Sequence, residues 1–106
     1  MPWLFLLSYL FGGAFLLNAV PHLTKGVMGE RFQSPFAKPP GQGHSTSTVN
    51  FAWGFFNLVI GYLLVCRVGD FDLRDTADVV ALGLGILLCG LFTARQFGRF
   101  NGGDMA

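Results

Sequence analysis

Three long apolar runs alternate with polar segments along this chain of 106 residues. Residues 3–20, 49–66 and 79–94 contain no Asp, Glu, Lys, Arg or His. As helices, at about 1.5 Å per residue, these runs reach roughly 24 to 27 Å, close to the thickness of a bilayer's hydrocarbon core. Lipid requires a spanning backbone to be helical or to close into a barrel, and three runs are too few for a barrel. The pattern therefore predicts three transmembrane helices.

The predicted architecture is an all-α integral membrane protein with one membrane domain over residues 1–106. The segments are expected at about 3–20, 49–66 and 77–95 for the helices, 21–48 for a long interfacial loop and 96–106 for a tail. The first run lacks a preceding basic segment and a good cleavage site, so we expect a retained helix and not a signal peptide. The first half of the loop, residues 22–32, has the apolar spacing of a short helix that lies in the headgroup layer.

Composition supports the membrane prediction and limits the partners. Hydrophobic residues make up 52% of the chain and charged residues only 12%, against about 25% charged in a typical soluble domain. The net charge of +1 provides no basic surface for a nucleic acid. The expected partners are the lipid bilayer and other membrane subunits or copies of this chain.

Basic residues are distributed unequally between the two sides of the predicted bundle. One side would carry Lys25, Arg31, Lys38, Arg95 and Arg99, and the other only Arg67 and Arg74. Because basic residues favour the cytoplasmic face, we expect a multi-pass protein of the cell membrane with its N-terminus outside and its C-terminus in the cytoplasm.

Small and amide side chains recur on one face of each of two helices. They are Asn50, Gly54, Asn57 and Gly61 in the second helix, and Gly83 and Gly90 in the third. Glycine lets helix backbones approach closely, and an amide within hydrocarbon needs a partner. These six residues are therefore predicted to pack against other helices, either within the chain or between chains.

The 28-residue connection between the first two helices is unusually long for a helix bundle. It holds both histidines, His22 and His44, and the only glutamate, Glu30. We predict a binding surface formed by His22, Glu30 and Arg31 for a partner protein, a lipid headgroup or a solute. The alternatives are a lid that packs on its own bundle and, for Glu30 and Arg31, a local ion pair.

Candidate chemistry is sparse elsewhere. His22 and His44 are candidate cofactor-binding residues, but two histidines without a ligand spacing do not indicate a metal site, and none is expected. No nucleophile motif, zinc motif or phosphate-binding loop occurs, so no catalytic residue is predicted and an enzyme is not expected. The spans also lack the embedded ionisable residue that is typical of proton-coupled transporters.

These patterns favour a small non-catalytic membrane subunit that acts by helix–helix association, within a larger membrane complex or a homo-oligomer. Two other hypotheses remain open. The amides of the second helix could line a homo-oligomeric channel or carrier for a small solute. Alternatively, His22 and the aromatic-rich faces could bind a lipid, a quinone or a haem in a redox component.

Overall fold

Three long helices, a small hairpin and a short loop make up the part of the chain that the computed structural model describes, residues 2–103. The elements in order are α1 (Pro2–Val27), β1 (Phe32–Gln33), β2 (His44–Ser45), α2 (Ser47–Cys66) and α3 (Thr76–Asn101). All three helices are long and apolar enough to cross a membrane. The molecule measures 40 Å along its longest axis. The predicted all-α class with three such helices is confirmed.

Helix α1 lies between the other two helices and packs against both of them. Within residues 2–103, α2 and α3 make no extensive contact with each other. Two adjacent glycines allow α1 to be approached from both sides. A Cβ at Gly12 would meet Val65 and Leu64 of α2, whereas a Cβ at Gly13 would collide with the backbone of α3 at Leu82.

The stripe on α2 forms the interface with α1. Asn50, Gly54, Asn57 and Gly61 are all buried. A Cβ at Gly54 would lie 2.7 Å from the backbone nitrogen of Leu23, and one at Gly61 would lie 2.6 Å from the side chain of Leu16. The amide-and-glycine face is therefore used within the chain, where it brings the two backbones close together.

The close approach of α3 to α1 occurs at a glycine that the prediction did not name. Gly83 has no atom within 4 Å of a would-be Cβ, and the nearest neighbour of one at Gly90 is a side-chain atom of Leu17 at 3.8 Å. The close approach to α1 occurs instead at Gly85, where a Cβ would overlap the carbonyl oxygen of Leu10. Gly83 and Gly90 were predicted to pack within the chain or between chains, so packing between chains stays a prediction. The contact at Gly85 was not predicted, because every face of this helix is apolar or small and its sequence does not distinguish lipid from protein.

Helix α1 continues well beyond the predicted end at residue 20. Pro21 lies inside it, and the segment expected to form a separate interfacial helix is the last turn of α1 followed by the hairpin. Proline removes one backbone hydrogen bond, which transmembrane helices tolerate when neighbouring groups compensate. The helix ends at Val27, and the turn that follows contains Gly29, whose φ of +74° is accessible to glycine without steric cost. The connection to α2 is correspondingly shorter than predicted.

Side-chain caps define the starts of α2 and α3. Thr46 caps α2 by accepting a hydrogen bond from the Val49 N–H. Asp75 caps α3 by accepting from the N–H groups of Ala77 and Asp78. Each cap satisfies backbone donors that have no partner within their helix.

The hairpin folds back over the ends of the helices. Its two strands are antiparallel and pair Phe32 with Ser45 and Gln33 with His44. Phe32, Gln33 and Ser45 are buried, so the hairpin is part of the core at this end of the molecule. The loop between its strands, residues 34–43, lines a cavity together with residues of α2 and α3.

Candidate functional site

A buried polar cluster lies where α1, α2 and the hairpin meet. At its centre are His22 of α1, which is 2% exposed, and Asn50 of α2, which is 0% exposed. His22 Nδ1 lies 2.7 Å from Asn50 Oδ1. The sequence analysis named His22 for the loop surface and for cofactor binding, and Asn50 for helix packing. The structure brings the two side chains together.

The amide of Asn50 connects the helices to the hairpin. Its Nδ2 donates to three carbonyl oxygens, those of Phe32, Ser45 and Thr46, at 3.0 to 3.2 Å. A buried amide in hydrocarbon surroundings needs such partners. Asn50 therefore joins α2, both strands and α1 through a single side chain.

A second pair of amides lies deeper between the same helices. Asn18 Nδ2 donates to Asn57 Oδ1 at 3.1 Å, and Asn57 Nδ2 donates to the carbonyl oxygen of Trp53 at 2.8 Å. Within residues 2–103, Asn18 Oδ1 accepts no hydrogen bond from a side chain, so it can accept one from a ligand. Together with the His22–Asn50 contact, the bonds of Asn18 and Asn57 form a polar strip along the α1–α2 interface.

The hairpin contributes its own buried polar groups. Ser34 and Ser45 are joined through their hydroxyl oxygens, and Gln33 lies within hydrogen-bond distance of His44 on the paired strand. Gln33 also pairs with Asn101 at the end of α3. These contacts hold the hairpin against the helix ends.

A cavity of about 350 Å³ opens beside the polar cluster. We call it the interhelical cavity because all three helices and the hairpin loop line it. Its walls are Asn18, His22, Ser34, Pro35, Pro40, Gly41, Trp53, Phe92, Gln96 and Phe97. Most of this surface is apolar and aromatic, and none of the lining side chains carries a fixed charge.

Two polar groups of the cavity wall have unused hydrogen-bonding capacity. The indole N–H of Trp53 is buried and has no acceptor in the described part of the chain. His22 uses Nδ1 for Asn50, and no bond to its Nε2 occurs within residues 2–103. Buried polar groups normally find partners, so the Trp53 indole is an exception. His22 Nε2 is not among the buried atoms without a partner and is available for a further hydrogen bond.

Aromatic rings surround the His22 imidazole on three sides. The ring centroids of Phe32, Trp53 and Phe97 lie 5.5, 6.4 and 6.0 Å away, each in an edge-to-face arrangement. Such packing fixes the orientation of the imidazole and excludes water from most of its edge.

The predicted loop surface of His22, Glu30 and Arg31 is not formed as a unit. His22 is buried inside the molecule, whereas Glu30 and Arg31 are exposed. Glu30 pairs with Lys25 at 2.6 Å, so it does not form the suggested ion pair with Arg31. The reason is that α1 continues past Pro21 and carries Lys25 to the same side as Glu30.

The two histidines also occupy different environments. His44 is exposed on β2, pairs with Gln33 and does not line the interhelical cavity. Within residues 2–103, no group of three or more His, Cys, Asp or Glu side chains could hold a metal ion. Of the two, His22 alone belongs to the cavity.

Several cavity residues were not identified from the sequence: Asn18, Ser34, Trp53, Gln96 and Phe97. Asn18 carried a usable signal, because it is the only amide in the first apolar run. The others come from distant parts of the chain, and only the fold brings them together.

Searches against protein families, curated proteins and solved structures find no match to this chain.

Proposed function

We propose that this chain inserts into a membrane through all three helices and binds one neutral amphiphile of the isoprenoid-quinone class, with its head in the interhelical cavity. The observation that carries the proposal is the His22 imidazole. It is held by Asn50 on one side, is enclosed by aromatic rings, and has an unpartnered nitrogen at a cavity without charged walls.

The size of the cavity suits a single substituted ring. A cavity of about 150 Å³ is large enough to bind benzene, and the interhelical cavity is about 350 Å³. Trp53 of α2 and Phe92 and Phe97 of α3 supply aromatic walls. Small-molecule sites generally combine such apolar walls with a few polar groups that fix orientation.

The absence of charge at the cavity wall argues for a neutral head. Phosphate and carboxylate ligands are normally held by Arg or Lys, and neither lines the interhelical cavity. The polar groups present are an imidazole, an indole and amides, which suit uncharged oxygen atoms. A quinone-type head therefore fits this wall better than a phospholipid headgroup.

The arrangement of the helices provides a path for an apolar tail. Because α2 and α3 pack on α1 and not extensively on each other, a gap runs between them. Phe92 lies at this gap and is 66% exposed. In a bilayer, a tail extending from the cavity would enter the lipid there.

Binding to the protein in lipid nanodiscs tests this proposal. The probe is a decyl-substituted benzoquinone, supplied in oxidised and hydroquinone forms, and the readout is the amount bound in excess of empty nanodiscs. We expect saturable binding of one molecule per chain. Binding that never saturates above the lipid background would contradict the proposal.

A matched pair of variants locates the site. Gln96→Trp places a large side chain in the cavity wall and should weaken binding at least tenfold. Leu91→Trp adds the same group on α3 at a position that is 56% exposed and outside the cavity. It should bind like the wild type. Equal binding by both variants would place the ligand elsewhere.

A second candidate function is the small-subunit role. It is favoured by Gly83, which has open space around it although glycine is a common helix-contact residue in membranes. If α3 packs on a neighbouring subunit there, Gly83→Leu should change the assembly that native mass spectrometry detects in mild detergent. An unchanged assembly would count against this role.

The other hypotheses gain less support from the geometry. A neutral pore lined by Asn50 and Asn57 would need both amides to face an axis, whereas both are buried and bonded within the chain. Haem ligation by two histidines is disfavoured by the position of His44, away from the cavity.

The proposed orientation follows the basic residues. With the hairpin on the side of Lys25 and Arg31, the interhelical cavity lies at the cytoplasmic end of the bundle and both Arg67 and Arg74 lie outside. The ligand head would then be bound near the cytoplasmic surface of the cell membrane.

A further inference from the structure

Resting on the proposed function, we infer that the bound head must donate a hydrogen bond to His22 Nε2. The site then takes a hydroxyl-bearing head, the reduced hydroquinone, and discriminates against the oxidised quinone. The donor and acceptor atoms of the buried side chains determine this preference.

The orientation of the Asn50 amide is fixed by its surroundings. One end of the amide faces the carbonyl oxygens of Phe32, Ser45 and Thr46. Carbonyl oxygens only accept hydrogen bonds, so this end must be the NH₂ group. The carbonyl end, Oδ1, consequently faces His22.

The orientation of Asn50 in turn fixes the tautomer of His22. Asn50 Oδ1 is an acceptor, and it lies 2.7 Å from His22 Nδ1. Nδ1 therefore carries a proton and donates. A neutral imidazole has one N–H, so its second nitrogen, Nε2, is left as an acceptor.

A further acceptor lines the same cavity. Asn18 donates through Nδ2 to Asn57, which leaves its Oδ1 available. The described wall thus offers acceptors at His22 and Asn18, and the Gln96 carboxamide, which makes no side-chain hydrogen bond within residues 2–103, can donate or accept. The indole N–H of Trp53 is itself buried. A hydroxyl group can donate to an acceptor and also accept from a donor, so it complements both kinds of group.

A quinone carbonyl matches this wall less well. It carries lone pairs only, so against His22 Nε2 it leaves two acceptors facing each other without a proton. Sites built to bond a ligand hydroxyl reject analogues that lack it, because the buried partner is then unsatisfied. The discrimination comes from the fixed tautomer and requires no charge.

Three probes with the same decyl chain test the inference in nanodiscs: the hydroquinone, the benzoquinone and the hydroquinone dimethyl ether. The ether keeps the aromatic ring and its oxygens but cannot donate. We expect the hydroquinone to bind at least tenfold more tightly than either other probe, a difference of about 1.4 kcal/mol. Measurements are made without oxygen so that the hydroquinone stays reduced.

The outcomes separate the two proposals. If none of the three probes saturates, the proposed function is wrong. If all three saturate with equal affinity, the site exists but the inference about hydrogen-bond donation is overturned. A tighter-binding quinone would also overturn it.

Two variants identify the responsible group. His22→Phe removes the acceptor and should abolish the preference for the hydroquinone. Leu91→Trp changes α3 outside the cavity and should leave the preference intact. A preference that survives in His22→Phe would assign it to another residue.

The tautomer is also measurable without any variant. In ¹⁵N-histidine-labelled wild-type protein at about pH 8, where a neutral ring is expected, nitrogen chemical shifts distinguish the two tautomers. We expect His22 to carry its proton on Nδ1. A proton on Nε2 would overturn the inference even if His22→Phe does not fold.

Discussion

The carboxamides of Gln33 and Asn101 pair across 68 positions of the chain. Asn101 Nδ2 donates to Gln33 Oε1 at 3.0 Å, and Gln33 Nε2 donates to Asn101 Oδ1 at 3.4 Å. The pair connects the hairpin to the last turn of α3. It is the side-chain link between the hairpin, whose loop lines the interhelical cavity, and α3, the helix farthest from the hairpin in sequence.

The Gln33–Asn101 pair should contribute measurably to stability. We expect a double-mutant cycle of Gln33→Leu and Asn101→Leu to give a coupling energy of about 0.5–1.5 kcal/mol, the usual net value of a hydrogen bond. The measurement is the free energy of unfolding in mixed micelles. Gln42→Leu, an exposed loop change, serves as the control. A coupling energy of zero would show that the pair does not form.

The glycines of α3 should differ sharply in their tolerance of a methyl group. Gly85→Ala places a Cβ on the Leu10 carbonyl oxygen and forces α1 and α3 apart, so we expect a loss of about 1–3 kcal/mol. Gly83→Ala meets open space and should be neutral or gain up to about 1 kcal/mol from helix propensity. The same unfolding assay compares them, and equal losses would contradict the described face of α3.

The two buried asparagines of α2 should also differ. Asn50→Leu removes the partner of His22 and the donor to three carbonyl oxygens, so we expect a loss of at least about 2 kcal/mol. Asn57→Leu chiefly removes one bond between helices and should cost about 0.6 kcal/mol. An equal cost for both would mean that the Asn50 network does not hold the hairpin.

Cysteine labelling in intact cells should reveal the orientation. In a background without Cys66 and Cys89, Leu73→Cys is expected to react with an impermeant reagent from outside. Gln42→Cys should react only after the membrane is permeabilised, because five of the seven basic residues lie on its side. Both positions are exposed. The reverse pattern would invert the proposed topology.

The sequence alone predicted the helices well but not their ends. Uncharged runs are sufficient to indicate three spans. The continuation of α1 through Pro21 was not predicted, because the residues before and after a proline give no sign of whether neighbouring groups compensate for its missing N–H. The end of α3 was also missed, since a helix that leaves the apolar run loses the pattern used to find it.

The candidate site was predicted only in part for a similar reason. The stripe that includes Asn50 was visible because amides are rare in apolar runs. The face of α3 that carries Gly85 was not visible in the sequence, because lipid and protein interiors are equally apolar. Nothing in the sequence distinguishes Trp53 from the other aromatic residues of its apolar run, and Gln33 is bonded to Asn101 at the far end of the chain.

The central position of α1 has a consequence for biosynthesis. α1 is made first, and the amide partners of its Asn18 and His22 belong to α2. When α2 follows, both polar groups obtain their hydrogen bonds. Between residues 2 and 103, no side-chain hydrogen bond joins α1 to α3, so the third segment docks on α1 by close packing, and its Asn101 bonds only to Gln33 of the hairpin. Integration of the nascent chain is therefore ordered, with polar pairing of α1 and α2 followed by apolar packing of α3 on α1.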